Sequence, residues 1–167
     1  TDANGCSLTK DFTIAGPEAE LSVGGTLNEV SCYGQATGSI SLTVEGGTSP
    51  YTYSWSNGAT QKDLADLAAG NYSVEVTDAN GCTAFSEFTV TGPAEALSVS
   101  GTTTDVACFG EATGSITLTV EGGTTPYTYS WSNGATEKDL TDIAAGDYSV
   151  EVTDANGCTA SSAFTIT

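Results

Sequence analysis

Apolar and polar residues alternate with a period of two along most of the chain. In residues 38–45, GSISLTVE, apolar side chains occupy every second position, and residues 51–56 and 72–77 follow the same rule with tyrosine, tryptophan and valine. Because successive side chains of a strand point to opposite faces, each segment is predicted to be a β-strand with one buried face. The helix-like stretch KDLADLAAG at 62–70 is too short for a packed helix, so we interpret it as a strand and a corner turn.

The pattern occurs twice, because the sequence repeats with a period of 76 residues. The segment GGTSPYTYSWSNGAT at 46–60 returns at 122–136 with a single Ser-to-Thr change. A fixed period marks each copy as one structural unit. We therefore divide the chain into the C-terminal stub of a preceding repeat (1–19), a first repeat (20–93) and a second repeat (94–167), and we expect it to be an excerpt of a longer array.

Each repeat is predicted to fold as an immunoglobulin-like sandwich. Tyr72 ends an L-x-x-L-x-x-G-x-Y run next to the penultimate strand, which is typical of the tyrosine corner of such sandwiches, and Trp55 suits the central position of the third strand. The predicted fold class is all-β, with tandem immunoglobulin-like (fibronectin-III-like) seven-stranded β-sandwiches. The rings predicted to be buried in the structural core are those of Trp55, Tyr72, Trp131 and Tyr148.

Charge and composition narrow the possible functions. The sequence has no histidine, three basic residues that are all lysines, and a formal net charge of −18. Without histidine there is no ready proton shuttle at neutral pH and no imidazole ligand for a metal. Nucleic acid and anionic lipid are bound largely through lysine and arginine, so neither is an expected partner. No stretch approaches the roughly 20 apolar residues of a spanning helix, and we predict no membrane insertion and no enzymatic activity.

Three motifs resemble a known family. They are CYGQATGSI with CFGEATGSI, then GGTSPYTYSWSNG, then LADLAAGNYSVEVTDANGC, in that order. Together they resemble the SprB-type repeats of large cell-surface gliding-motility adhesins of Bacteroidota, and the resemblance covers nearly the whole chain, twice. It implies an extracellular, tandemly repeated module of a long filamentous protein, exported by the type IX secretion system and attached to the outer membrane. It does not imply a ligand.

The DANG turns are the candidate metal sites. Each offers an aspartate and an asparagine, Asp78 with Asn80 and Asp154 with Asn156, as in part of a calcium-binding loop. A calcium loop needs more oxygen ligands in register, including a later bidentate glutamate that is missing here. A hairpin turn that uses Asn-Gly is the simpler interpretation. We therefore predict no cofactor and keep calcium at these four residues as the weaker alternative.

Aromatic residues allow a second alternative. Tyr51, Tyr53 and Trp55 share one face at strand spacing, which is also the spacing of a sugar-stacking platform. We favour a place in the core, because a unit of this size has few other large side chains to bury. Tyr33 and its counterpart Phe109 fall outside the strand pattern, each next to a cysteine. For these two we favour packing against a neighbouring repeat over ligand binding.

The cysteines have no C-x-x-C spacing and indicate disulfides formed in an oxidising compartment. The obvious pairs lie inside each repeat, Cys32 with Cys82 and Cys108 with Cys158. In a sandwich, however, the loop before the second strand and the turn after the penultimate strand lie at opposite ends, roughly 25–30 Å apart, whereas a disulfide needs Cα atoms within about 7 Å. In an end-to-end array, Cys32 instead approaches Cys158. We favour this inter-repeat bond, keep the intra-repeat bonds as the alternative, and assign Cys6 to the truncated preceding repeat.

The combined prediction is a structural role. We predict stalk repeats of a long bacterial surface adhesin that set its reach and bear load in surface adhesion and gliding motility. The expected partners are neighbouring repeats of the same chain, together with a surface or polysaccharide ligand bound by regions outside this chain. The alternatives are a carbohydrate-binding module of a secreted enzyme and a calcium-dependent adhesin module.

Overall fold

The computed structural model of the chain describes residues 4, 10, 16 and 19–167, and within this part of the chain every regular element is a β-strand. The described residues thus contain no helix that is long and apolar enough to cross a membrane. The first repeat forms β1 (Ser22–Asn28), β2 (Gly38–Glu45), β3 (Thr52–Trp55), β4 (Leu64–Leu67), β5 (Gly70–Thr77) and β6 (Thr83–Val90). The second repeat forms β7 (Ser98–Thr104), β8 (Gly114–Glu121), β9 (Thr128–Trp131), β10 (Leu140–Ile143), β11 (Gly146–Thr153) and β12 (Thr159–Ile166).

The strands of each repeat form two three-stranded antiparallel sheets. In the first repeat β1, β2 and β4 form one sheet in that order, and β3, β5 and β6 form the other. The second repeat has the same arrangement, with β7, β8 and β10 opposite β9, β11 and β12. In chain order the six strands correspond to A, B, C, E, F and G of an immunoglobulin-like sandwich. The predicted all-β, immunoglobulin-like fold is confirmed.

The predicted count of seven strands is wrong, because each described repeat has six. The missing strand would lie between β3 and β4, where residues 56–63 have no room for it. This segment begins with a tight turn in which the backbone N–H of Gly58 donates to the carbonyl oxygen of Trp55 at 2.9 Å. The backbone N–H of Trp55 donates to the carbonyl oxygen of Ala59 at 3.0 Å. Too few residues then remain before β4 for a further paired strand.

The core lies between the two sheets and is filled by the alternating apolar residues. In β5, Val74 and Val76 are fully buried, while Glu75 between them is exposed. Each repeat has its own cluster of buried side chains. The predicted core tryptophans are buried: the Trp55 indole lies 6.1 Å from the ring of Phe88, and its Nε1 donates to the carbonyl oxygen of Gln61 at 2.9 Å. Trp131 makes the equivalent contacts.

The two predicted core tyrosines are half-buried, not buried, and in this respect the prediction is wrong. Tyr72 and Tyr148 pack against the edge of each core. Their hydroxyl groups donate to the carbonyl oxygens of Ala68 and Ala144, both at 3.0 Å, which is the bond of a tyrosine corner. Because this bond reaches back over the exposed turn before the strand, it keeps the outer part of each ring near solvent.

The repeat boundaries at 19/20 and 93/94 stay predictions. Each set of six strands falls inside one predicted repeat, since β1 to β6 end at Val90 and β7 begins at Ser98. Most of the predicted stub, including Cys6, lies outside the described residues.

Candidate functional site at the junction between repeats

The site is built from two loops of each repeat, which we name by position. The junction loop is residues 31–35, with 107–111 as its counterpart, and it connects the first two strands of a repeat. Its turn is closed by a bond from the backbone N–H of Gln35 to the carbonyl oxygen of Cys32 at 3.1 Å. Gly34 occupies the third turn position at φ 71°, a conformation that a side chain disfavours. The C-x-G motif therefore presents its cysteine and aromatic residue on a tight turn.

The aspartate loop is residues 78–82, with 154–158 as its counterpart, and it connects the last two strands. Asp78 is its central residue: Oδ1 accepts from the backbone N–H groups of Asn80 and Cys82, both at 2.9 Å, and Oδ2 accepts from that of Thr48 at 2.9 Å. Asp154 makes the same three bonds in the second repeat. The carboxylate thus fastens this loop to the connection between the second and third strands.

These bonds set the charge state of the two buried aspartates. Burial raises the pKa of the Asp78 carboxyl, but the backbone N–H donors around it, which include Cys82, Thr48 and Asn80, outweigh that effect and hold the pKa below its usual value. The pKa of Asp154 is lowered for the same reasons. Donors that face a carboxylate favour its charged form. Both loops are therefore held by ionised carboxylates at neutral pH.

The two kinds of loop meet between the repeats. A disulfide joins Cys32 of the first junction loop to Cys158 of the second aspartate loop, with Cα atoms 5.8 Å apart. Beside it, Asn156 Nδ2 donates to the carbonyl oxygen of Ser31 at 3.0 Å. The structure therefore contains the inter-repeat pairing. Cys82, which the intra-repeat alternative pairs with Cys32, is an exposed free thiol, and so is Cys108.

Tyr33 contributes the apolar part of the junction. It lines a cleft of about 280 Å³ together with residues of the second repeat that include Leu97 and Thr159. Its side chain is 55% exposed, whereas its counterpart Phe109, which has no following repeat against it in the structure, is fully exposed at 105%. Tyr33 therefore lies against the second repeat, in agreement with the interpretation that it packs against a neighbouring repeat.

The four candidate calcium residues occupy the aspartate loops but serve other contacts. The oxygens of Asp78 and Asp154 accept backbone N–H bonds, and the amides of Asn80 and Asn156 donate to hydroxyl groups of Thr48 and Thr124. Within the described ranges, no three acidic or cysteine side chains come together as a metal-binding group. Calcium binding stays an untested alternative, and it requires exchanging these hydrogen bonds for metal ligands.

The predicted aromatic row lies on the inner face of its strand. Trp55 is buried, while Tyr51 and Tyr53 are half-buried and pack against the core. The Tyr51 hydroxyl donates to the carbonyl oxygen of Gly46 at 2.7 Å, and burial raises the pKa of Tyr53. The arrangement leaves no flat, exposed row of rings on β3, in agreement with the interpretation of these residues as core.

Two features of the site were not predicted. The first is the bond from Asn156 to Ser31, which depends on how two repeats meet and has no local sequence pattern. The second is the carboxylate fastening of the aspartate loop. A short signal for it exists, because an aspartate that precedes a Gly-containing turn commonly accepts bonds from the next backbone N–H groups.

The regions that match a known family include one half of this site. The SprB repeat family matches the sequence at residues 24–60 and 100–136, so each match includes one junction loop and the third strand of its repeat. The SprB repeat family thus matches one stretch in each of the two repeats. The SprB match leaves the aspartate loops outside its limits, although these supply the other half of the junction. No curated protein matches the sequence.

The solved structures that match this chain share little sequence with it. A C-terminal fragment of intimin, solved with the intimin-binding domain of its translocated receptor, matches 87% of this chain at 14% identity and a TM-score of 0.47, and the chain spans 64% of that fragment. An amphioxus IgVJ-C2 molecule gives 14% identity and a TM-score of 0.35, with 86% of this chain and 96% of that one covered. A tetra-tandem repeat from the extending region of a large adhesion protein matches 90% of this chain at 19% identity and a TM-score of 0.29, and the chain spans 50% of that structure. The fold assignment rests on the strand topology.

Proposed function

We propose that these SprB repeats form the stalk of a long cell-surface adhesin in which each repeat is covalently stapled to the next. The observation that carries the proposal is the Cys32–Cys158 bond. A disulfide inside a repeat stabilises one domain, whereas a disulfide between repeats holds two neighbours together and resists their separation. The near identity of the repeats supports the same role, because a spacer needs many copies and a binding site needs one.

The setting follows from the same features. A disulfide suits an oxidising, extracellular location. We infer export by the type IX system, attachment to the outer membrane and a part in gliding motility, on the basis of the SprB repeats. The net charge of −18 keeps neighbouring stalks apart by mutual repulsion. The repeats contact each other, and a surface or polysaccharide ligand is bound by regions outside this chain.

The alternatives from other classes have weaker support. The sequence has no histidine to act as a ready proton shuttle at neutral pH, which weakens the case for catalysis. A carbohydrate-binding module would use exposed aromatic side chains, but the large exposed aromatics in the described ranges, Tyr33, Phe85 and Phe109, do not share a strand. We therefore propose a structural, non-enzymatic module.

A deletion in the full-length protein tests the proposal. Removing one 76-residue SprB repeat in frame, with both flanking junctions rebuilt in register, should preserve display and adhesion while shortening the reach measured by electron microscopy of the cell surface. Deleting a different single repeat is the matched control and should have the same effect. Loss of adhesion on removal of one particular repeat would instead assign the ligand site to that repeat and contradict the stalk.

Scattering from the purified chain is the second test. An end-to-end pair of repeats should give an extended, two-lobed particle in small-angle X-ray scattering, and reduction should broaden its range of conformations. Two repeats folded side by side would refute the proposed stalk geometry. A glycan array probed with the same chain should give no binding, and a specific glycan hit would favour the carbohydrate-binding module.

A further inference from the structure

The two free thiols repeat the two halves of the closed junction. Cys82 lies in the aspartate loop of the first repeat, as Cys158 does in the second, and Cys108 lies in the junction loop of the second repeat, as Cys32 does in the first. Both free thiols are exposed, whereas the bonded cysteines are half-buried. Each end of the described pair of repeats therefore presents a surface whose complement is seen inside the same molecule.

Equivalent residues line a cleft at both positions. Beside Cys82 lies an open cleft of about 500 Å³ lined by Leu21 and Thr83, among others. The corresponding residues of the second repeat, Leu97 and Thr159, line the cleft of about 280 Å³ that the first junction loop shares. The open cleft is thus larger where no junction loop is seated.

The second junction loop, which would fill this cleft, already has the turn conformation of the first. The backbone N–H of Glu111 donates to the Cys108 carbonyl oxygen at 3.1 Å, as Gln35 does to Cys32, and Gly110 has φ 81°. Phe109 projects from this turn with its ring fully exposed. Asn80 is positioned like Asn156, since each amide donates to a threonine hydroxyl of its own repeat.

We propose that copies of this chain associate head to tail, with the junction loop around Cys108 of one copy seated in the cleft beside Cys82 of another and closed by a Cys108–Cys82 disulfide. The partner is a second copy because the cleft continues the chemistry of an interface that the molecule already forms internally. The proposal rests on the stapled stalk proposed above, since in a longer array the adjoining repeats of the same chain would take both positions, and a second copy stands in for them. If two copies do not associate, the Cys32–Cys158 bond inside the chain still stands.

The bond-forming step requires an oxidant, for which a small-molecule disulfide such as oxidised glutathione is sufficient. One protein thiolate attacks a glutathione sulfur and releases one reduced glutathione. The second protein thiolate then attacks the protein sulfur of that mixed disulfide and releases the other. The two thiols together lose two electrons and two protons, and one glutathione disulfide is reduced to two thiols.

Two residues make the intermolecular junction different from the internal one. Glu111 stands where the first junction loop has Gln35, and Glu20 stands where the second repeat has Ala96; the internal cleft is lined by Gln35 and Ala96. In a head-to-tail pair these two carboxylates would lie in one cleft and repel each other. Association should therefore strengthen with salt, which screens the repulsion between these exposed carboxylates and between two copies that each carry a net charge of −18.

The test uses two single-thiol variants of the whole chain, both in a Cys6→Ser background. One carries Cys82→Ser and keeps Cys108, and the other carries Cys108→Ser and keeps Cys82. Incubated with oxidised and reduced glutathione, each alone should stay monomeric, and an equimolar mixture should form a heterodimer with a Cys82–Cys108 peptide in a non-reducing map. We expect at least about a tenfold excess of heterodimer over either homodimer. A heterodimer only about twice as abundant as either homodimer, which is the statistical ratio for random pairing, would show unspecific oxidation and overturn the proposal.

Side-chain variants test the docking itself. In the Cys82→Ser partner, Phe109→Ala should slow heterodimer formation by about tenfold, because it removes the aromatic contact that Tyr33 makes in the internal junction, whereas Phe109→Tyr, the residue of the first repeat, should change it less than about twofold. Glu111→Gln should accelerate the reaction and reduce its dependence on salt. Since Phe109 and Glu111 are exposed, these changes leave the fold intact. Equal rates for all four partners would contradict a seated loop.

Discussion

The two junction loops differ in their surroundings more than the two cores do. Inside, Trp55 and Trp131 are equally buried and bond to equivalent carbonyl oxygens. At the junction loops, the exposed fraction changes from 55% for Tyr33 to 105% for Phe109, although the loops have the same turn. The comparison teaches that each sandwich completes its core without a neighbour, and that its end loops are surfaces shaped for one.

The first prediction tests whether the interiors are equivalent. Trp55→Ala and Trp131→Ala should each lower the free energy of unfolding of the affected repeat by about 3–5 kcal/mol, because the void left by a core indole does not collapse. Chemical denaturation with a repeat-specific probe measures both losses. Phe85→Ser is the control, since Phe85 is exposed and its counterpart is Ser161, and it should change stability by less than about 0.5 kcal/mol. Unequal tryptophan losses would end the claim of equivalent cores.

The second prediction removes the covalent bond that distinguishes the first junction loop from the second. Cys158→Ser should lower stability by about 2–4 kcal/mol, since the bond closes a loop with a sequence separation of 126 residues. Cys82→Ser changes the equivalent residue of the first repeat and should leave the stability of the monomer unchanged. Thermal unfolding of both variants under non-reducing conditions makes the measurement. Equal losses would mean that the disulfide adds no stability specific to the junction.

The third prediction uses acid to loosen the aspartate loops. The folded-state pKa values of Asp78 and Asp154 are lowered, so their stabilisation is complete above the unfolded value of about 3.9 and is lost as the pH falls through the lower folded values. The midpoint temperature of thermal unfolding should therefore decrease as the pH is lowered below about 4. Asp78→Asn and Asp154→Asn should each flatten part of this dependence. An acid transition unchanged in the double variant would assign it to other carboxylates.

The fourth and smallest effect concerns a single hydrogen bond. Asn156→Ala removes the bond to the Ser31 carbonyl oxygen, worth about 1 kcal/mol, and should speed reduction of the Cys32–Cys158 bond by dithiothreitol about fivefold. Asn80→Ala removes the matching amide from the first repeat, outside the closed junction, and should leave that rate unchanged. If both variants react alike, the effect belongs to the aspartate loop and not to the junction.

Those features that depend on local alternation could be predicted from the sequence. The strands β2 and β5 follow directly from a period of two, and the topology of a sandwich was enough to favour Cys32 with Cys158. The strand count was beyond that reasoning, since the loss of a seventh strand depends on how few residues separate β3 from β4 once the turn at Gly58 has formed. The direction of the Asn156 amide depends on a tertiary contact, which no spacing encodes. The half-burial of Tyr72 follows from the bond of its hydroxyl to Ala68, whose path over the exposed turn the motif alone does not specify.

The position of the disulfide in the sequence also limits how far the molecule can be extended. Cys32 lies just after β1 and Cys158 just before β12, so the shortest covalent path from Glu20 to Thr167 follows residues 20–32, crosses the bridge and follows 158–167. At about 3.4 Å per residue, that contour length is roughly 80 Å, compared with roughly 500 Å for the whole backbone. Ten of the twelve strands lie outside this path. A chain pulled at its ends would become taut before those strands could be drawn out.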